Sequence, residues 1–194
     1  MEELQNPNGV KEKILKGAKL NLYAFLLIAP LLLISVVPFA YLNGWQNTYF
    51  HIKTIITPVF ILALLFGIVV HEALHAFTWM LLLRKGFKSI KFGFNLHSFS
   101  PYTHCTLPMK VWQYKLGGLT PGFLMGIIPI LLSFVLSSVL LNFVGFLFLW
   151  AASGDIISLF MIRKLDKNSY VLDHPDEMGF ILVDKDELNI ETEE

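Results

Sequence analysis

Apolar residues gather in four runs, 20–42, 55–83, 116–141 and 143–162, each long enough for the roughly 20 residues of helix that a bilayer core requires. The second run exceeds one span and predicts a helix that tilts or extends past the membrane. Only Asn142 and its flanks separate the third run from the fourth, which predicts a tight antiparallel helical hairpin. Between the second and third runs the period changes from helical to two. There Ile90, Phe92, Phe94 and Leu96 alternate with Lys91, Gly93, Asn95 and His97, the signature of a half-buried strand. "SFSP" then supplies turn chemistry and "YTHCTL" a return strand, so the loop 87–110 predicts a small β-hairpin. The expected fold is an all-α membrane protein of four transmembrane helices, with this hairpin on the cytoplasmic side between the second and third. Near the C-terminus "GFILV" reads as one further short strand.

Composition supports the membrane assignment. Hydrophobic residues make up 55% of the 194 positions and charged residues 15%, against about a quarter charged in a soluble domain. Fifteen basic and fifteen acidic residues cancel, so charge argues against nucleic acid or another anionic partner, while the apolar content makes the lipid bilayer the expected surroundings. The distribution of cations sets the orientation. Lys11, Lys13, Lys16 and Lys19 precede the first run, six cations from Arg84 to Lys115 lie between the second and third, and Arg163, Lys164 and Lys167 follow the fourth. The opposite side carries only Lys53. The positive-inside bias therefore predicts both termini in the cytoplasm, with the first run an uncleaved anchor. This divides the chain into a cytoplasmic segment 1–19, a four-helix core 20–162 and a tail 163–194. From Asp173 onward the tail holds nine of the fifteen acidic residues and reads as a solvated segment. Cys105 is the single cysteine, which excludes an internal disulfide.

The chemistry stands out against this apolar background. Within the four runs the ionisable residues are His71, Glu72, His75 and Asp155. A charged side chain at the centre of a membrane helix costs about 2.5–3.5 kcal/mol even on the lenient insertion scale, so four of them need a common partner. His71 and His75 stand four apart on one helical face, where both imidazoles reach one metal ion. Glu72, offset around the helix, reaches a water beside that ion. This is the H-E-x-x-H arrangement of zinc hydrolases, with the glutamate as general base. Taken alone, the motif also fits two buried histidines and a glutamate bonded to one another; burial in hydrocarbon weighs against that reading, because a dication offsets the cost of burying the carboxylate.

Catalytic zinc takes three protein ligands. At ~1.5 Å per residue, His75 and Asp155 both lie about 10–12 Å below the cytoplasmic ends of their spans, and Ala151, Ala152 and Ser158 would let the two helices approach. Asp155 is thus the first candidate for the third ligand. His104, beside Cys105 in the predicted hairpin, is the alternative ligand or a substrate-site residue. His51, His97 and His174 read as surface histidines. In the third run Gly118, Gly122 and Gly126 recur every four residues, with Pro121 and Pro129. That spacing fits a close helix contact and also a helix weak enough to bend.

With "HEALH" on one span and "SGDIISL" on a later one, the chain resembles the site-2 protease class of intramembrane zinc metalloproteases. Through "VVHEALHAFTW", "PYTHCTLPMKVWQYKLGGLTP", "SGDIISL" and "DHPDEMGF" it resembles more closely a bacterial membrane family of zincin peptidases. The resemblance implies Zn2+ bound by His71, His75 and Asp155, Glu72 as the base, a membrane protein or peptide as substrate, and the bacterial inner membrane as location. It departs from site-2 proteases in placing glycine before the aspartate. The competing reading is a metal-binding or metal-handling membrane protein without hydrolytic activity, which gives Glu72 no role. A prenyl-protein protease would carry further motifs that the chain lacks.

Overall fold

A computed structural model of the chain describes residues 2–5, 11–15, 17–96, 100–174 and 178–183. The apolar runs are helices, and their breaks follow local chemistry. Helices α1 (Gly17–Ile34) and α2 (Val36–Asn43) part at Ser35, whose hydroxyl donates back to the Leu31 carbonyl at 2.6 Å, a bond that bends helices. A separate helix α3 (Trp45–Ile55) intervenes before α4 (Pro58–Leu83), so the second run, expected from residue 55, starts at Pro58. Thr57 caps α4 by accepting from the Phe60 amide at 3.2 Å, and Pro58 occupies the first turn, where its missing N–H costs nothing. The third run begins earlier than expected. It comprises α5 (Val111–Pro121), a π-helical stretch Gly122–Ile127 and α6 (Ile128–Leu136) in one continuous path.

The fourth run is not straight. Helices α7 (Val139–Ala151) and α8 (Ser153–Ile162) meet at a 49° bend beside Ser153 and Gly154, a pairing that commonly kinks helices. Three helices among the described residues are therefore long and apolar enough to cross a membrane, and four if the bent pair counts as one span. Phe25, Leu33, Leu62, Phe66, Val69 and Val135 are each more than 60% exposed, which leaves the outer helix faces apolar, as lipid contact would require.

The turn between the third and fourth spans corrects the expectation centred on Asn142. Ser137 adopts the left-handed conformation at φ 49°, and Ser138 caps α7 by accepting from the Leu141 amide. Asn142 lies inside α7, 2% exposed, with its amide donating to Ser133 Oγ at 3.0 Å and towards the Ser35 carbonyl at 3.5 Å. It joins three helices instead of leading a loop. Close contact does the rest: a Cβ on Gly145 would stand 2.8 Å from the Gly126 carbonyl oxygen, and one on Gly126 would stand 3.0 Å from the Leu149 Cα. Of the two readings of the glycine stripe, the structure realises the close helix contact at Gly126. The stretch Gly122–Ile127 within the same path is π-helical.

The all-α expectation needs a second correction, because the described residues include two sheets. One is the expected hairpin, β3 (Ile90–Asn95) against β4 (Ser100–Cys105), in register from Ile90 opposite Cys105 to Asn95 opposite Ser100. Of the expected turn "SFSP", Ser100 and Pro101 instead open β4, while Ser98 and Phe99, with His97 before them, lie outside the described residues. The other sheet has five antiparallel strands: β1 (Glu2–Gln5), β2 (Lys11–Leu15), β5 (Met109–Lys110), β6 (Tyr170–Asp173) and β7 (Met178–Val183). Their order is β1-β2-β7-β6-β5. It draws strands from the N-terminal segment, from the loop before α5 and from the tail. The described part of the tail, 163–174 and 178–183, is thus partly folded, and "GFILV" lies in β7. The reason is apolar burial. Leu15, Met109, Val171 and Phe180 are at most 2% exposed and pack in one core with Trp79, Tyr114, Met161 and Ile162 from the helix ends.

Candidate metal centre

The helical repeat of α4 puts His71 and His75 one turn apart, their rings edge to face with centroids separated by 5.0 Å. Both are buried, at 6% and 5% exposure. His75 Nδ1 lies 2.9 Å from the Gly117 carbonyl oxygen on α5. A carbonyl only accepts, so Nδ1 carries the proton and the neutral ring presents the lone pair of Nε2. That lone pair faces a carboxylate. Asp155 Oδ1 stands 3.3 Å from His75 Nε2, and Oδ2 stands 3.1 Å from His71 Nε2.

The bend between α7 and α8 accounts for the position of Asp155. It falls in the first turn of α8, where a helix N-terminus favours negative charge, and it reaches across to α4. Oxygen and nitrogen lone pairs 3.3 Å apart repel unless a proton or cation lies between them. Zinc–ligand bonds of 2.0–2.1 Å at tetrahedral angles separate neighbouring ligand atoms by about 3.3–3.4 Å. The two observed separations and the donor set, two imidazoles and one carboxylate, therefore fit zinc. His71 Nδ1, buried and without a hydrogen-bond partner among the described residues, is the one unsupported nitrogen of the set.

Glu72 turns away from the helix axis between the histidines. One of its carboxylate oxygens and one nitrogen of each histidine lie within 4.8 Å of one another, and the residue is half-buried. The β3–β4 hairpin packs on this stretch of α4 through Thr103, whose hydroxyl donates to the Glu72 backbone carbonyl at 2.9 Å. Trp79 covers the other side of His75, stacked at 5.5 Å between centroids.

Of the residues singled out from the sequence, His71, Glu72, His75 and Asp155 converge. His104 does not join them. Its Nδ1 pairs with Asp173 Oδ2 at 3.1 Å. His51 is exposed on α3, and His174 follows β6 with its amide donating to the Gly179 carbonyl. His97 lies outside the described residues. Cys105 is fully buried, its Sγ 3.8 Å from the Leu107 carbonyl, and burial pushes its thiol pKa up. A thiol held protonated is a poor metal ligand.

Three contributors went unseen in the sequence. Gly117 sits beside Gly118 in "KLGGLT", and a Cβ there would overlap the Trp79 indole, so the bare backbone is what brings its carbonyl to His75. The doublet was a signal that the four-residue stripe obscured. Thr103 and Asp173 lie in segments that carry the family resemblance, but as a strand threonine and one acid among many neither was singled out for a role.

Fold and cluster together define a class: a bundle of apolar helices carrying an H-E-x-x-H cluster, with an aspartate from a distant helix within 3.3 Å of both histidines. The family model described as "Putative zincin peptidase" matches residues 64–170, more than half of the chain, and the chain belongs to that family. No curated protein and no solved structure matches it.

Proposed function

We propose that the chain is an intramembrane zinc endopeptidase that hydrolyses peptide bonds of membrane-associated substrates. The observation that carries the proposal is the Asp155 carboxylate spanning His71 Nε2 and His75 Nε2 at 3.1 and 3.3 Å. His71, His75 and Asp155 would hold the metal. When bound, zinc would supply Lewis-acid polarisation of a water and of the scissile carbonyl. Glu72 accepts the proton of the attacking water at its carboxylate and delivers it to the leaving amine nitrogen. Gly117 holds a proton of His75 on Nδ1, so the neutral ring would offer the metal the lone pair of Nε2. Family membership supports zinc and peptide hydrolysis; the apolar helices around the cluster support a site within the bilayer; the cation distribution supports an orientation with both termini cytoplasmic.

The test uses the full chain reconstituted in liposomes with a transmembrane peptide. Cleavage stops on treatment with a zinc chelator and returns on adding zinc. Cleavage that continues in a preparation shown to be free of metal sinks the proposal.

A substrate helix conceals its carbonyls in its own hydrogen bonds, and an unwound segment needs new backbone partners where water is scarce. Strand β3 offers them. In its two-stranded sheet it pairs with β4 on one edge, and Phe92 and Phe94 stand about half exposed. Strand β4, bonded to the Glu72 carbonyl, fastens the hairpin to α4 near the metal donors, and a substrate strand adding to β3 would extend that same sheet. Phe94→Pro should therefore remove most turnover while zinc content stays at the wild-type level. Unchanged turnover would end the strand-addition step and leave the metal chemistry intact.

A further inference from the structure

A second buried polar cluster takes no part in this chemistry. The Asp173 carboxylate on β6 accepts from His104 Nδ1 at Oδ2, 3.1 Å away, and from the Tyr114 hydroxyl at Oδ1, 3.2 Å away. The Tyr114 oxygen also lies 3.0 Å from Ser158 Oγ and 3.5 Å from the Gly179 carbonyl. Tyrosine has one proton to donate, and a carboxylate is its strongest acceptor here, so Ser158 is left to donate to the tyrosine oxygen. Two donor paths thus end on Asp173: Ser158 through Tyr114 from one side, and His104 from the other. The four residues come from α8, α5, β6 and β4. Tyr114, Ser158 and His104 are all below 9% exposure, and the Asp173 side chain is at 14%.

The cluster stands directly behind the metal donors. Ser158 follows Asp155 by three residues on α8 and shares its face; Tyr114 precedes Gly117 by three on α5, and the Gly117 carbonyl holds His75. The Tyr114 ring stacks on Trp79 at 6.0 Å, and Trp79 stacks on His75. The separation of α5 and α8 governs how far His75 stands from Asp155, and the Tyr114–Ser158 hydrogen bond spans those two helices. Asp173 fixes the direction of that bond by drawing the tyrosine proton to itself.

We propose that Asp173 is a positioning residue for the metal centre, acting through Tyr114 and Ser158 to set the spacing of His75 and Asp155. The inference rests on the metal-binding role proposed above. It concerns a residue beyond the family match, which ends at residue 170.

The test is Asp173→Asn in the full chain in detergent. Asparagine keeps the size of the side chain, loses the charge, and turns an amide N–H towards one of two donors. Zinc affinity is measured by competition with a chelator, and donor geometry from the visible absorption of the cobalt(II)-loaded protein. The expected result is zinc affinity about tenfold weaker, the range for loss of a supporting hydrogen bond, with a shifted cobalt spectrum and an unchanged unfolding midpoint. Tyr114→Phe cuts the same link from the helix side and should do the same. The double variant should be no weaker than the weaker single one, since both act through one connection. Wild-type affinity and spectrum in a folded Asp173→Asn protein would overturn the proposal, as would additive losses in the double variant. Unfolding of both single variants would overturn it too, by making the cluster a stability element. A wild-type chain that binds no zinc removes the proposed function along with this inference, whereas a zinc-binding wild type with an indifferent Asp173→Asn removes the inference alone.

Discussion

Glu72→Gln retains stoichiometric zinc and loses peptide cleavage by about 10²–10⁴-fold, the usual contribution of a positioned general base. The expectation follows from the division of labour on one helical turn. His71 and His75 present Nε2 towards Asp155, whereas Glu72 has a carboxylate oxygen within 4.8 Å of a nitrogen of each histidine and is held from behind by Thr103 on its backbone carbonyl. Glutamine preserves the shape of the side chain and that backbone bond, so the cage should persist while the proton acceptor disappears. The measurement pairs zinc content of the purified variant with single-turnover cleavage of a transmembrane peptide. The same variant separates the enzyme from a metal-handling protein. If Glu72 were a ligand of a transport or storage site, zinc would fall with the carboxylate; full activity with full zinc would remove the general-base role altogether.

The parts of the fold that were legible in the sequence are those governed by local periodicity. Four apolar runs announce helices because hydrophobic length is a one-dimensional property, and the alternation from Ile90 to Leu96 announces β3 for the same reason. What the sequence obscured depends on partners far along the chain. Asn142 looks like a turn residue until Ser133 and the Ser35 carbonyl supply its hydrogen bonds. Strand β2 carries no strong pattern of its own and becomes a strand by pairing across most of the chain with β7, the "GFILV" strand, with Leu15 opposite Met178. The proximity of Asp155 to the two histidines was legible for a different reason: isolated charges in hydrocarbon demand an explanation, and matching depth on two helices pointed to the same neighbourhood. His104 has the right chemistry for a ligand, and only the position of Asp173 directs it elsewhere. The bend at Ser153 and Gly154 was written in small residues, yet its effect, turning the first turn of α8 towards α4, is a matter of three-dimensional packing.

Asp155→Ala should strip the protein of zinc, with a larger loss of affinity than the about 10–100-fold that removal of a supporting hydrogen bond costs. In the proposed site three donors from two helices would make the cage, and the carboxylate would be the donor that brings negative charge to it. Without Asp155, His71 and His75 remain as two neutral donors one turn apart on α4, too few for a catalytic zinc site, which takes three protein ligands. Asp155→Asn is the sharper variant. It keeps the bulk between the two Nε2 atoms and removes the charge, so a loss of zinc there assigns the effect to coordination and not to collapse of the space between α4 and α8. His104→Ala tests the alternative ligand: because His104 is engaged with Asp173, its loss should leave far more zinc bound than Asp155→Ala does. The measurement is metal content by atomic emission after dialysis against a weak chelator, alongside the unfolding midpoint of each variant. A folded Asp155→Ala protein with its full complement of zinc would show that the third donor comes from elsewhere. The two histidines would then need a partner that neither α8 nor the hairpin provides, and the contact between α4 and α8 would reduce to an ordinary buried ion pair.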